Sequence, residues 1–207
     1  MVSKALVTLS GEGEFHLVEK KSEFIGYAAP VKNEAEALAF IEKIKQKHKD
    51  ARHNVSAYVC GSAMHQSDDG EPQGTGGVPV LDVIKKNGID NTVIVVTRYF
   101  GGILLGAGGL VRAYSRAAAG AVEQAGIVTY DRFTECCYRC AYGDYDKLTY
   151  ETNKYTVIND GVEYSEEVNV KIAVLSAESD RLIKHISEIT GGKVTVTPTG
   201  ERFDKKQ

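Results

Sequence analysis

"TVIVVTRYFGGILLGAGGLVRAYSRAAAGAVEQAG", residues 92–126, holds the junction on which the reading of this chain turns. Its first six residues form a continuous, mostly β-branched apolar run, the pattern of a strand covered on both faces. Five glycines then fall between Arg98 and Arg112. Beyond them the spacing predicts a small-residue helix, with Leu110, Tyr114, Ala118, Ala121 and Ala125 facing inward and Gly126 ending it.

Glycine-rich turns between a strand and a helix often hold nucleotides, so the motifs can be tested residue by residue. A dinucleotide fingerprint needs G-x-G-x-x-G. Gly106 and Gly108 supply two of its glycines, but Val111 occupies the third position. A P-loop needs Lys and Ser/Thr after its second glycine. Gly101 and Gly106 have the spacing, but Ala107 and Gly108 follow. Both motifs fail. What remains is a helix start, whose unpaired N–H groups favour anions, beside Arg98 and Arg112. Arg112 falls in or near the first turn, where the helix dipole disfavours a cation. A partner is therefore expected: either a carboxylate of Asp68, Asp69 or Glu71 pairing with Arg98 or Arg112, or an external phosphate.

Upstream, "EFHLVEKKSEFIGYAAPV" reads as two strands bending near Ser22. A helix capped by Asn33 follows, with Glu36 placed for a capping box and Leu38, Ile41 and Ile44 at helical spacing. "NVSAYVCG" alternates as a strand, "HQSDDGEPQGTGG" reads as a loop, and "VPVLDVIKKNG" is a short helix stopped by Gly88. Downstream, "FTECCYRCA", "YDKLTYETN", "KYTVIND", "EEVNVKIAVLS", "ESDRLIKHISEIT" and "KVTVTP" give the order β-α-β-β-α-β. That is the ferredoxin-like plan. The expected organisation is two α+β domains, residues 1–128 and 133–207, joined near residues 127–133.

The net charge of −3 over 207 residues, evenly spread, excludes a chain that binds nucleic acid through bulk positive charge. Any such binding needs a local patch. "IEKIKQKHKDARH", with Lys43, Lys45, Lys47, Lys49 and Arg52, is the best electrostatic footprint for RNA in the first domain, although cations at a helix C-terminus also suit the dipole. Met1 to Ser10 is too polar for a signal peptide and no stretch is long enough to span a membrane, so a cytoplasmic location is expected. Cys60, Cys136, Cys137 and Cys140 are then reduced thiols. Strand alternation places Cys136 and Cys140 on one face and Cys137 on the other, which argues against a zinc or redox pair. No metal-ligand spacing, cofactor motif or nucleophile signature is complete. Asp68, Asp69 and Glu71 with His53 or His65 could form a metal or acid–base site, while a surface loop held by Asp side chains accounts for the same residues.

Three blocks, "ARHNVSAY", "SDDGEPQGTGGVPVLDVI" and "VIVVTRYFGGILLGAGGLVRAYSRAA", occur in the order found in the Impact family, and the chain resembles its bacterial, YigZ-like members over most of residues 15–126. The resemblance implies a first domain like domain 2 of ribosomal protein S5 and a ferredoxin-like second domain resembling one of elongation factor G. It also implies a role around translation. Eukaryotic relatives regulate the general amino-acid-control kinase by binding its activator. Residues 1–207 are expected to hold no counterpart of the extra N-terminal domain that contributes to that contact, so kinase regulation is not carried over. The signature residues that map here are His53, Asp68, Asp69, Gly70, Glu71, Pro72, Gly74, Arg98, Tyr99, Gly101, Gly102, Gly106, Gly109, Arg112 and Tyr114.

Three functional readings follow. The leading one is RNA or ribosome binding, with Arg98, Arg112 and backbone N–H groups holding phosphates and Tyr99 stacking on a base. The second is an enzyme using His53 and the Asp68–Glu71 loop on a small phosphorylated or peptide-like substrate. The third is a regulator that docks a protein partner on the same patch.

Overall fold

The computed structural model describes residues 5–206; residues 1–4 and 207, which fall within the expected domain bounds and the Met1–Ser10 segment, lie outside the described residues. The chain divides into two compact units, one from Leu6 to Val128 and one from Thr129 onward.

The first unit begins with β1 (Leu6–Leu9), a strand that residue patterning does not announce. Its sheet runs in the order β2 (Gly13–Glu19), β3 (Ser22–Pro30), β6 (Thr92–Tyr99), β4 (His53–Cys60), β5 (Ala63–Ser67), with every neighbouring pair antiparallel. β6 is central and buried along almost its whole length, as its uninterrupted apolar sequence requires. On one face Phe24, Ala28, Val55, Ile94 and Val96 meet α2 (Gly77–Lys86) and α3 (Ala107–Ala125). On the other, Ile25, Tyr27, Val93 and Val95 meet α1 (Glu34–Lys47).

Local patterning and structure differ in a few places, each for a physical reason. Asn33 caps α1 by accepting the Glu36 N–H at 3.0 Å, but Glu36 turns back to the N–H of Lys32 rather than that of Asn33. Leu38 is half exposed, and the buried stripe is Ala37, Phe40, Ile41 and Ile44. β5 takes His65, Gln66 and Ser67 out of the expected loop, because a polar edge strand can ladder with β4 without apolar alternation. The bend near Ser22 is a two-residue turn at Lys20 and Lys21, closed by the Glu19–Ser22 pair.

The second unit has the order β7 (Ile127–Cys140), α4 (Tyr142–Thr152), β8 (Val157–Tyr164), β9 (Val168–Leu175), α5 (Ser179–Thr190), β10 (Thr197–Lys205). Its antiparallel pairing places β10 beside β7, β7 beside β9 and β9 beside β8, the ferredoxin-like arrangement. Cys136, Tyr138 and Cys140 join Leu148, Leu182 and Ile186 in its core, while Cys137 lies on the other face of β7. The segment expected to be a joint is strand, since β7 runs through residues 127–133. The last strand starts later than "KVTVTP" suggested; Val194 and Val196 are buried in the segment leading to it.

α3 lies unusually close to β2 and β3 because glycines face it. A Cβ on Gly26 would sit 2.3 Å from the Ala117 carbonyl oxygen, and one on Gly13 would sit 2.2 Å from that of Ala121. Neither obstacle is a movable side chain. Gly26→Ala is therefore expected to destabilise the protein by roughly 1–3 kcal/mol through overpacking. Gly11→Ala, with nothing within 4 Å of the added atom, serves as the near-neutral control in urea denaturation.

Candidate functional site

The acidic loop is organised by its own carboxylates. Asp68 stands before α2 and takes the place of a side-chain cap: one oxygen accepts the N–H groups of Gly76 and Gly77 at 3.0 and 2.8 Å, and the other accepts that of Gly74 at 2.8 Å. Burial opposes its charge, but the three donors together outweigh burial and hold the carboxyl below its ordinary range. Asp69 sits at φ +42° and Gly70 at +85°, which turns the chain sharply enough for Asp69 to reach two other elements. It accepts the Asn54 N–H of β4 at 2.6 Å and lies 3.1 Å from the Lys45 ammonium of α1. Its carbonyl oxygen lies 2.8 Å from His53 Nδ1, so that nitrogen carries the proton.

Glu71 goes inward. Its side chain is almost fully buried, and one oxygen accepts from Arg98 Nη1 at 2.6 Å and from the Tyr114 hydroxyl at 2.7 Å. The loop, β6 and α3 therefore meet at a single carboxylate oxygen. The Arg98 guanidinium centre lies 5.5 Å from the ring centroids of Phe24 and Phe100, an arrangement that favours a cation over the aromatic faces. The Tyr114 phenol is driven strongly up by burial and by the carboxylate beside it, so it remains a hydrogen-bond donor.

The internal partner foreseen for the arginines thus holds for Arg98. Arg112 differs: it is exposed, it lies in the second turn of α3 rather than the first, and it has no carboxylate within 4 Å among the described residues. Tyr99 is only partly exposed, and its hydroxyl lies 2.9 Å from His48 Nδ1, whose other ring nitrogen lies 2.8 Å from the Tyr27 hydroxyl. Burial, with the Lys47 charge nearby, keeps the His48 imidazole below its ordinary pKa.

The glycine stretch is an open turn. Gly102 and Gly106 adopt φ of +83° and +72°, conformations that side chains with a Cβ rarely take. Gly106 caps α3 without a side-chain hydrogen bond, and no acidic residue lies in the first turn. Gly109 packs against Leu105, and Gly101 against the backbone of Lys21. Between these glycines Ile103 and Leu104 are exposed, Leu104 by 82%.

The lysine-rich end of α1 is less free than its sequence suggests. Lys43, Lys45 and Lys47 pair with Glu12, Asp69 and Glu14. Among the described residues no group of three or more His, Cys, Asp or Glu side chains could hold a metal ion. Sequence reasoning placed Arg116 one turn beyond Arg112 on the same outward face but did not single out Lys20, which lies by both. It also missed a broad groove of about 1010 Å³ on the second unit's sheet, lined by Cys137, Arg139, Lys171 and Arg202 among others. The Lys20–Lys21 turn had a readable signal in its two adjacent cations, whereas the groove exists only once four strands align.

Removing one member of a buried ion pair costs about 3–5 kcal/mol, because the other charge is left without a partner. Glu71→Leu should lose stability on that scale. The double variant Glu71→Leu/Arg98→Met should recover a large part of it, as a double-mutant cycle in urea would show.

Comparisons with known proteins agree with this architecture. A model of the Impact N-terminal domain matches residues 20–122, and one described as a domain of unknown function, DUF1949, matches residues 139–193. The chain is 40% identical to IMPACT family member YvyE of Bacillus subtilis over 189 residues, 90% of this chain and 87% of that protein. It is 41% identical to IMPACT family member YigZ of Escherichia coli over 128 residues, 59% of this chain and 63% of that protein. A crystal structure of a hypothetical protein, 28% identical, superimposes with a TM-score of 0.60 over 96% of this chain and 98% of that one. With relatives alike across both units and the signature blocks in order, this chain belongs to the IMPACT family.

Proposed function

We propose that the protein is a translation-associated regulator that acts in the cytoplasm and binds RNA or the ribosome through the glycine turn at the start of α3. Family membership supports the association with translation. The binding mode rests on one observation: a 19-residue helix begins exposed, with no side-chain cap and no carboxylate in its first turn, next to an arginine that has no carboxylate partner among the described residues. Free N–H groups and a guanidinium together suit a phosphate oxygen.

The same geometry narrows the contributing residues. Arg112 and the backbone around Gly106–Gly109 face solvent, while Arg98 and Tyr114 hold the turn in place through Glu71. Asp68, Asp69 and Glu71 are engaged by the chain's own donors, which disfavours acid–base work by that loop. Among the described residues no helix is long and apolar enough to cross a membrane.

Sedimentation of the purified protein with ribosomes tests this reading. Co-sedimentation should be present at low salt, weaken steeply as salt rises, and fall in Arg112→Ala with the fold intact. Failure to co-sediment at low salt would overturn the proposal. Nuclease-resistant capture of a defined protein partner would replace it with the docking reading.

A further inference from the structure

A second set of cations lies against the glycine turn. The β2–β3 hairpin closes through Lys20 and Lys21, at φ of +46° and +65°. A two-residue turn of this kind favours Asn-Gly, because both central residues must take positive φ. Two adjacent lysines there are locally unfavourable, and such strain tends to persist where side chains must be presented. The turn is also buttressed: a Cβ on Gly101 would lie 2.0 Å from the Lys21 carbonyl, and the Gly101 N–H donates to Ser22 Oγ at 3.2 Å.

Between this hairpin and α3 is a cleft of about 90 Å³, lined by Glu19, Lys20, Leu105, Gly109, Arg112, Ala113 and Arg116. Arg112 and Arg116 are one helical turn apart on the same face, where like charges repel unless something lies between them. Among the described residues the only carboxylate lining the cleft is Glu19, 3.7 Å from Arg116 and partly exposed. Three cations thus share one weak internal counter-charge. The lysines of α1, on the opposite face of the sheet, offer a contrast, since Lys43, Lys45 and Lys47 each have a carboxylate partner.

We propose that the cleft formed by Lys20, Arg112 and Arg116 holds a backbone phosphate of an RNA strand. The inference rests on the RNA reading above and names the subsite that positions the strand. Guanidinium pairs hold phosphate oxygens in fixed geometry, and Lys20 adds a point charge from the hairpin. The uncapped start of α3 lies beside the cleft, so a strand seated there can also use its N–H groups.

The test uses the full chain and a fluorescent single-stranded oligouridylate, with anisotropy read across a salt series. Lys20→Asn, which suits the turn's positive φ, is combined with Arg116→Gln, and both positions are exposed. The double variant is expected to melt like the wild type, to bind several-fold more weakly, and to show a salt slope shallower by roughly 0.7 for each phosphate it no longer neutralises. Lys43→Gln/Lys47→Gln should bind as the wild type does. If the wild type binds and the α1 variant loses binding while the cleft variant keeps it, the cleft is overturned and the RNA reading stands. If the wild type does not bind at low salt, both fall. Binding only to phosphatidylserine vesicles, abolished in the cleft variant, would likewise overturn the RNA assignment in favour of a lipid headgroup.

Discussion

A buried carboxylate oxygen that accepts from both a guanidinium and a phenol is the constraint on which the rest of the first unit depends. Glu71 comes from the acidic loop, Arg98 from the end of the central strand and Tyr114 from the second turn of α3. Removing these groups from water is costly, and the cost is offset only when each charge and donor meets its partner in good geometry. The three elements must therefore arrive together. Because Arg98 lies near the end of β6 and Tyr114 within the second turn of α3, the elements on both sides of the glycine turn are tied to the same point.

Fixing the ends while the middle lacks Cβ atoms yields an open loop on a rigid base. Gly102 and Gly106 supply the positive φ, and Gly101 presses against the hairpin backbone. On the far side, Gly13 and Gly26 bring α3 close to β2 and β3, which sets its start beside the Lys20–Lys21 turn. Cations from two distant parts of the sequence thereby line one cleft. Asp68 and Asp69 hold the neighbouring loop by accepting backbone N–H groups of α2 and β4, so their charge serves the architecture.

Strongly periodic segments were legible in the sequence. The apolar run of β6 announced a strand covered on both faces, the small-residue stripe of α3 gave its buried side, and alternation placed Cys136 and Cys140 apart from Cys137. Segments whose structure depends on a neighbour were not. β5 is polar and becomes a strand only because β4 offers it a ladder. β10 begins beyond the apolar residues that seemed to define it, since its partner β7 sets the register. Leu38 has helical spacing, yet the face covered by the sheet runs through Ala37 and Phe40.

The candidate site divides in the same way. Residue chemistry along the chain identified a glycine turn between two arginines and an acidic loop able to pair with them, and showed that no familiar nucleotide motif was complete. Only the tertiary structure decided which arginine has a carboxylate partner among the described residues and which has none. Glu71 reaches Arg98 from across 27 positions of sequence, while Arg112 projects from the exposed face of α3. It likewise decided that the α1 lysines have carboxylate partners and that Lys20, among the described residues, has none. The physical reason is that ion pairing falls off steeply with distance through solvent. Charge in a sequence is a count, and only the fold fixes the distances that leave a cation free to bind.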